Sequence, residues 1–318
     1  MKRKKYLYWG LLTVGIIVLL MEIALRWKWG LGNPVLSQKD AQTGYRFQPN
    51  QSVIRLGNQI KYNQYSQRSD LLSSVANEQL FRILMVGDSV LNGGSPIDQS
   101  ETMSEQLEQK LQQTGQPVEV LNASAGSWGI GNQWGYIQKF GTFDSDVLIL
   151  QIGTHDLTQP TSTSSRVGRD PNYPNQKPLL ALQEVWVRYL LPRSPFATHS
   201  EIPPTLDPEQ QFQKNLGYLE QIIQTARQDN IPVLVLYTPN WVDVLPKPHT
   251  PPYKPPFFRF LETNNIPVID THAAWSSLPP DTVKGYFRDS VHLTPQGNDA
   301  IATLIQTAIM PHQTTDKN

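Results

Sequence analysis

The sequence predicts a three-layer α/β/α protein built on a parallel sheet, preceded by one transmembrane helix. Three observations carry that prediction. From residue 81 onward, short apolar runs of buried-strand length alternate with longer stretches of helical periodicity. Strand–helix alternation gives a parallel sheet covered on both faces, because each crossover packs back onto the sheet. Ahead of this pattern, a basic start ("MKRKK") leads into a long, predominantly apolar run.

That run, Tyr6–Leu25, is apolar except for Thr13 and Glu22. At about 1.5 Å per helical residue it covers the roughly 30 Å hydrocarbon core. Tyr6, Tyr8 and Trp9 at one end and Trp27 and Trp29 at the other fit the aromatic belts of the two interfaces. A cleaved signal peptide is the alternative, but no A-x-A-like site follows the run. The heavier basic flank is N-terminal, which places residues 1–29 as a cytoplasmic tail and anchor with the remainder outside the cytoplasm.

Residues 30–80 are polar and irregular and read as a stalk or a lead-in hairpin. The regular domain then runs over 81–312, with 313–318 as a tail. Its expected strands are Ile83–Val86, Val118–Leu121, Val147–Ile152, Ile231–Tyr237 and Pro267–Ile269. Its expected helices are Thr102–Gln113, Gly131–Phe140, Pro208–Gln228, Pro256–Thr263 and Pro295–Ile309. The third of these is clearest, with Phe212, Leu216, Leu219, Ile222, Ile223 and Ala226 on one apolar stripe. Two segments interrupt the alternation: 157–207, rich in Ser, Thr and Pro, and 239–256, with seven prolines. Both leave from strand carboxyl ends, where ligands bind in such sheets, so both are expected to overhang the site. Tyr173, Trp186, Tyr189, Trp241 and Tyr253 on these segments could line a sugar or acyl site or simply pack the loops.

Charge and cysteine content narrow the chemistry. Residues 1–28 carry six Lys/Arg and one Glu, so of the chain's 27 bases and 27 acids the rest keeps 21 and 26, a net −5. A mildly acidic domain without a basic stripe argues against nucleic acid as a partner. The chain has no cysteine, which excludes thiolate catalysis, disulfides and Cys-type zinc sites. The six histidines show no metal-ligand spacing, so no metal or cofactor is implied.

The first core strand runs straight into Gly87-Asp88-Ser89. A serine there stands at a strand's carboxyl end, close to free backbone N–H groups. Taken alone it could be a turn residue beside an Asx-type cap, since serine needs a base, itself oriented by a third group, to act as a nucleophile. Near the C-terminus, "YFRDSVHLTPQGN" supplies Asp289 and His292, spaced so that the carboxylate can hold Nδ1–H while Nε2 faces Ser89. Between them come "VLNASAGSWGIGNQ" after the second strand and "LILQIGTHDL" ending the third.

These four motifs, in this order and on these strand ends, resemble the SGNH (GDSL-type) hydrolase family over about residues 81–310. The resemblance implies a flavodoxin-like sheet and a serine esterase. It implies Ser89 as nucleophile and first oxyanion donor, His292 as base and Asp289 as its orienter. Gly126 is the candidate for the second oxyanion N–H, with Ser127 and Gly129 also able to fill that slot after a short shift. Asp88 and Asp156 are expected in supporting roles. The sequence departs from the family at the third block, where the oxyanion Asn is replaced by His155 in "GTHD". An imidazole N–H can donate as an amide does. The implied substrate is a carboxylic ester, an acylated glycan or lipid. An acyltransferase using the same residues, or an inactive envelope scaffold, are the alternatives, and oligomeric state is left open.

Overall fold

The computed structural model describes residues 2–72, 80–191 and 206–313, so all of the expected tail after Gln313 and parts of two loops lie outside the described residues. The chain opens with helix α1 (Lys2–Trp29), exposed along almost its whole length. Two antiparallel hairpins follow: β1 (Ser37–Asp40) with β2 (Gly44–Phe47), and β3 (Gln51–Arg55) with β4 (Asn58–Tyr62).

The central sheet is made by β5 (Phe81–Gly87), β6 (Val118–Ser124), β7 (Val147–Gly153), β8 (Val233–Thr238) and β9 (Val268–Asp270). All five are parallel, in the order β6-β5-β7-β8-β9. The helical elements are α2 (Ser89–Asn92), α3 (Met103–Gln112), α4 (Ile130–Phe140), α5 (Ala181–Glu184), α6 (Pro208–Gln228), α7 (Trp241–Val244), α8 (Lys254–Thr263), α9 (Thr271–Ser276), α10 (Pro280–Tyr286) and α11 (Pro295–Gln313).

The strands are largely apolar because both faces are covered. Side chains of period two therefore divide between two cores. Leu84 and Val86 of β5 join Leu148, Leu150 and Ile152 of β7 in the core under α4, α6 and α8. Ile83, Met85 and Ile149 face the opposite core, closed by α3, α10 and α11. The stripe read on α6 faces the first core, with Phe212, Leu219, Ile222, Ile223 and Ala226 buried and Leu216 partly so. That helix starts where Pro208 occupies its first turn and the Asp207 carboxylate caps the N–H groups of Glu209 and Gln210.

The segment read as a stalk or lead-in hairpin is packed onto the domain. Tyr45 is buried in the first core, and Trp128 Nε1 donates to its carbonyl at 2.9 Å. Arg68 is fully buried and donates to the carbonyls of Asn92, Gly94 and Ile97, the loop that follows α2. The strand order reverses between β5 and β7, because the chain goes first to β6 on one side and then crosses to the other. In open α/β sheets this switch point is where the carboxyl ends open into a crevice.

Candidate active site

Four strand ends meet at that crevice: Ser89 follows β5, Gly126 follows β6, His155 follows β7 and Asn240 follows β8. Gly87 ends β5 because nothing larger fits. A Cβ there would lie 2.5 Å from Gln151 Oε1 and 3.0 Å from Leu91 Cβ. The same Gln151 oxygen accepts the Asp88 N–H at 3.1 Å, fixing the chain where it leaves the sheet. Asp88 then caps α2, its Oδ1 accepting the Val90 N–H at 2.8 Å. Ser89 opens this short helix, where its own N–H has no intrahelical partner.

The loop carrying Asp289 and His292 is pinched shut at its base. Phe287 bridges Leu293, both buried, and the Arg288 N–H donates to the His292 carbonyl at 2.8 Å. Inside the loop Asp289 Oδ1 accepts the N–H of Val291 at 3.0 Å and of His292 at 2.8 Å. Burial raises the Asp289 carboxyl, but these N–H groups and the His292 ring outweigh it and hold its pKa below the usual value. Asp289 Oδ2 lies 2.8 Å from His292 Nδ1, and His292 Nε2 lies 2.9 Å from Ser89 Oγ. Serine, imidazole and carboxylate are thus in hydrogen-bonded series across 203 residues of sequence.

His155 is engaged elsewhere. Its Nε2 lies 2.7 Å from Asp88 Oδ2 and its Nδ1 2.9 Å from Asn240 Oδ1. Burial opposes charging the ring, but the Asp156 and Asp88 carboxylates outweigh it and lift its pKa to about 10. Both ring nitrogens therefore carry protons, donated to Asp88 and Asn240. In this arrangement both ring nitrogens face oxygens of the protein, Asp88 Oδ2 and Asn240 Oδ1, whereas the oxyanion role read for His155 needs an N–H turned to the substrate. Asp156 is fully buried, with Oδ2 accepting the Gly153 N–H at 2.7 Å and Oδ1 unpartnered, 3.7 Å from His155 Nε2. Burial first, and then the Asp88 charge, push its carboxyl up to about 8.

Asp88, His155 and Asp156 are also the described residues that could hold a metal ion, with ligand-type atoms within 4.8 Å of one another. The 2.7 Å separation of Asp88 and His155 is that of a charge-assisted hydrogen bond, so a proton already balances the charge here.

The turn after β6 narrows the choice of second N–H donor. Trp128 N–H closes the turn on the Ala125 carbonyl at 3.3 Å, with Ser127 at a φ of 58°. The Gly129 N–H is taken by Asn132 Oδ1 at 2.9 Å, which removes it as a donor. Among the described residues, the N–H groups of Gly126 and Ser127 have no partner. Tyr173 stands beside this turn, its hydroxyl 2.9 Å from Ser127 Oγ. Trp186 is instead exposed, two residues beyond α5, and Tyr253 packs on Phe212. Trp241 donates its N–H to the Ser290 carbonyl at 2.8 Å, tying the β8 loop to the Asp289–His292 loop.

Asn240 is the member that sequence reasoning missed. Its backbone N–H is held by Asp243 Oδ2 at 2.8 Å and its side-chain oxygen by His155. Its amide NH₂ has no partner among the described residues. The available signal was a lone amide directly after an apolar strand, in "YTPNW".

A family profile described as GDSL-like lipase/acylhydrolase matches residues 85–300. No curated protein sequence matches the chain. Similar solved structures include an acetyl xylan esterase, at 15% identity and a TM-score of 0.48, covering 72% of this chain and 100% of that one. The lipase/acylhydrolase from Enterococcus faecalis is similar at 14% identity and a TM-score of 0.42, covering 73% and 96%.

Proposed function

The chain belongs to the GDSL-like lipase/acylhydrolase family and is an SGNH-type ester hydrolase; from that premise we propose that Ser89, His292 and Asp289 form its catalytic triad. The observation that carries this reading is the 2.9 Å contact between His292 Nε2 and Ser89 Oγ, with Asp289 behind the ring. Ser89 Oγ attacks the ester carbonyl while His292 Nε2 takes its proton, and Asp289 stabilises the imidazolium. His292 returns that proton to the departing alcohol. A water then attacks the acyl-enzyme with His292 as base, releasing the acid and restoring Ser89.

The tetrahedral oxyanion is received by the N–H groups of Ser89 and Gly126 and by the Asn240 amide. His155 fixes that amide by donating to its oxygen, which leaves the NH₂ as the outward end. Asn240 thus supplies from β8 what position 155 lacks, and His155 acts through it as a positioning residue.

The enzyme is anchored by α1, with the hydrolase domain outside the cytoplasm. The basic flank supports that orientation. The anchor, as against a cleaved leader, is supported by contacts between α1 and the domain: Glu22 of α1 accepts the Ala181 N–H at 2.7 Å, and Arg26 donates to the Leu179 carbonyl at 2.7 Å. An enzyme so placed meets O-acyl groups on envelope glycans or lipids. The test uses the full-length protein in mild detergent with p-nitrophenyl acetate, and then with an acylated glycan. Release of acid that persists in Ser89→Ala would sink the assignment. Acyl transfer to an added glycan, with little free acid, would make the enzyme a transferase instead.

A further inference from the structure

Where α1 leaves the domain, three separate stretches of chain expose large apolar side chains around it. The first is the last turn of α1, with Trp27 almost fully exposed. The second is the β3–β4 turn, where Ile54 is 64% exposed and Leu56 is also open. The third is the segment from Leu179 to Leu190, where Leu179 is 89% and Trp186 59% exposed, with Leu180 and Leu190 likewise open. A soluble surface does not group such residues without a use.

These stretches are locked to one another. The β3–β4 turn reaches α1 through the Leu56 N–H, which donates to the Trp29 carbonyl at 2.9 Å. Gly30 makes this approach possible, at a φ of +64° where a Cβ would fall 1.9 Å from the Ile54 carbonyl oxygen. Arg55 and Glu184, both buried, pair across the junction, with Arg55 Nη1 3.1 Å from Glu184 Oε2. The same Glu184 oxygen accepts the Gly32 N–H at 2.6 Å. Glu22 holds the start of α5 by the N–H groups of Ala181 and Leu182, at 2.7 and 3.0 Å.

That last contact sets a depth. Glu22 lies three residues before Leu25, where the apolar run ends, or roughly 4.5 Å inside it along a helix. Residues 179–184 therefore stand level with the boundary between headgroups and acyl chains, the layer in which interfacial apolar segments reside. Glu22, an acid within the apolar run, is there shielded by backbone N–H groups and by Arg26 at 2.6 Å.

We propose that residues 179–190, the β3–β4 turn and the end of α1 form one rigid collar that inserts into the outer surface of the lipid bilayer and fixes the tilt of the hydrolase domain over it. The proposal rests on the reading of α1 as a membrane span. Lipid is the occupant because the helix that would enter the bilayer is itself part of the collar, so the two surfaces are continuous. Lys28, beside Trp29, adds a cation at headgroup level.

The chain has no cysteine, so single nitroxide labels can be placed without background. The experiment takes the full-length protein in nanodiscs of phosphatidylcholine and phosphatidylglycerol. Labels are carried on Leu180→Cys, Trp186→Cys and Ile54→Cys, with Gln112→Cys as an aqueous reference and Val14→Cys as a mid-bilayer reference. Each variant is first matched to the parent in ester hydrolysis. Collar labels are expected to favour collision with oxygen over a water-soluble nickel chelate, between the two references. Collar labels as open to nickel as Gln112→Cys, with Val14→Cys still buried, would overturn the collar and leave the anchor standing. A Val14→Cys label open to nickel would overturn the anchor itself. Collar labels shielded from both reagents and broadened by a neighbouring spin would overturn lipid in favour of a second copy of the chain.

Discussion

Asp88 and His155 lie 2.7 Å apart through a charge-assisted hydrogen bond, and Asp88 is the residue immediately before Ser89. The bond couples the exits of β5 and β7, and the second nitrogen of the same ring extends the coupling to Asn240 after β8, at 2.9 Å. One cationic ring thus sets the relative position of three strand ends.

If Asn240 donates to the oxyanion, Asn240→Ala should cost about 3 kcal/mol of transition-state stabilisation, roughly a hundredfold in kcat. His155→Ala should also slow turnover, by loosening the amide. The double variant should be little slower than Asn240→Ala alone, because His155 acts through Asn240. Losses that multiply in kcat would mean that His155 contributes by a separate route.

The triad should behave as a unit. Ser89→Ala and His292→Ala should each remove nearly all turnover, and the double variant should be scarcely worse. Asp289→Asn should leave the fold intact while mis-setting the His292 tautomer, lowering kcat without a matching rise in KM. Steady-state kinetics of the four variants checks this, and independent effects of Ser89 and His292 would sink it.

Thermal stability should fall from neutral to alkaline pH. The His155 pKa is raised from 6.5 to about 10, so its pairing with Asp88 is fully present below 6.5 and lost as pH rises through 10. Asp156 is a carboxyl raised from 3.8 to about 8, so the folded state binds the extra proton and loses that advantage between those values. Asp156→Asn keeps the neutral form at every pH, and its Tm relative to the parent should improve between pH 5 and pH 8. A constant difference across that range would contradict the buried neutral carboxyl.

The Arg55–Glu184 pair should be costly to break and cheap to replace. Glu184→Gln leaves the Arg55 guanidinium buried beside a neutral amide and should destabilise by about 3–5 kcal/mol. Arg55→Met combined with Glu184→Leu should recover much of that loss. Urea unfolding of both variants reads the difference directly. Equal losses in the two would show that the charge itself is not what matters there.

The parts of this protein that are legible in the sequence are those whose signal is local. Val86-Gly87-Asp88-Ser89 announces a strand end and a cap within four residues, and Asp289 and His292 sit inside one tight loop. The five strands could be read because burial on both faces makes them apolar runs. Asn240 could not be singled out in this way. It joins the site only because β8 pairs with β7, which brings residue 240 beside residue 155. The surroundings of His155 were hidden for a related reason. Its type suggested a donor, whereas its two partners, Asp88 and Asn240, come from other strands. Residues 30–80 read as a stalk or a lead-in hairpin because the contacts that fasten them to the domain, such as those of Arg68 with the carbonyls of Asn92 and Ile97, reach far along the chain and leave no periodic pattern. The short helices α9 and α10 carry too few turns to show periodicity.

Those contacts also bear on what counts as one protein module. The family profile begins at residue 85, yet Tyr45 donates its hydroxyl to the Gly126 carbonyl, and Asn132, at the start of α4, donates to the Thr43 carbonyl at 2.8 Å. Arg68 fastens the loop behind Ser89 from the same upstream side. A cut made at the profile boundary would retain every group of the proposed mechanism and discard the struts beneath two of them. The unit that can be grafted, expressed or exchanged between proteins therefore begins upstream of Tyr45, and silence from a shorter fragment would testify to missing scaffolding rather than to missing chemistry.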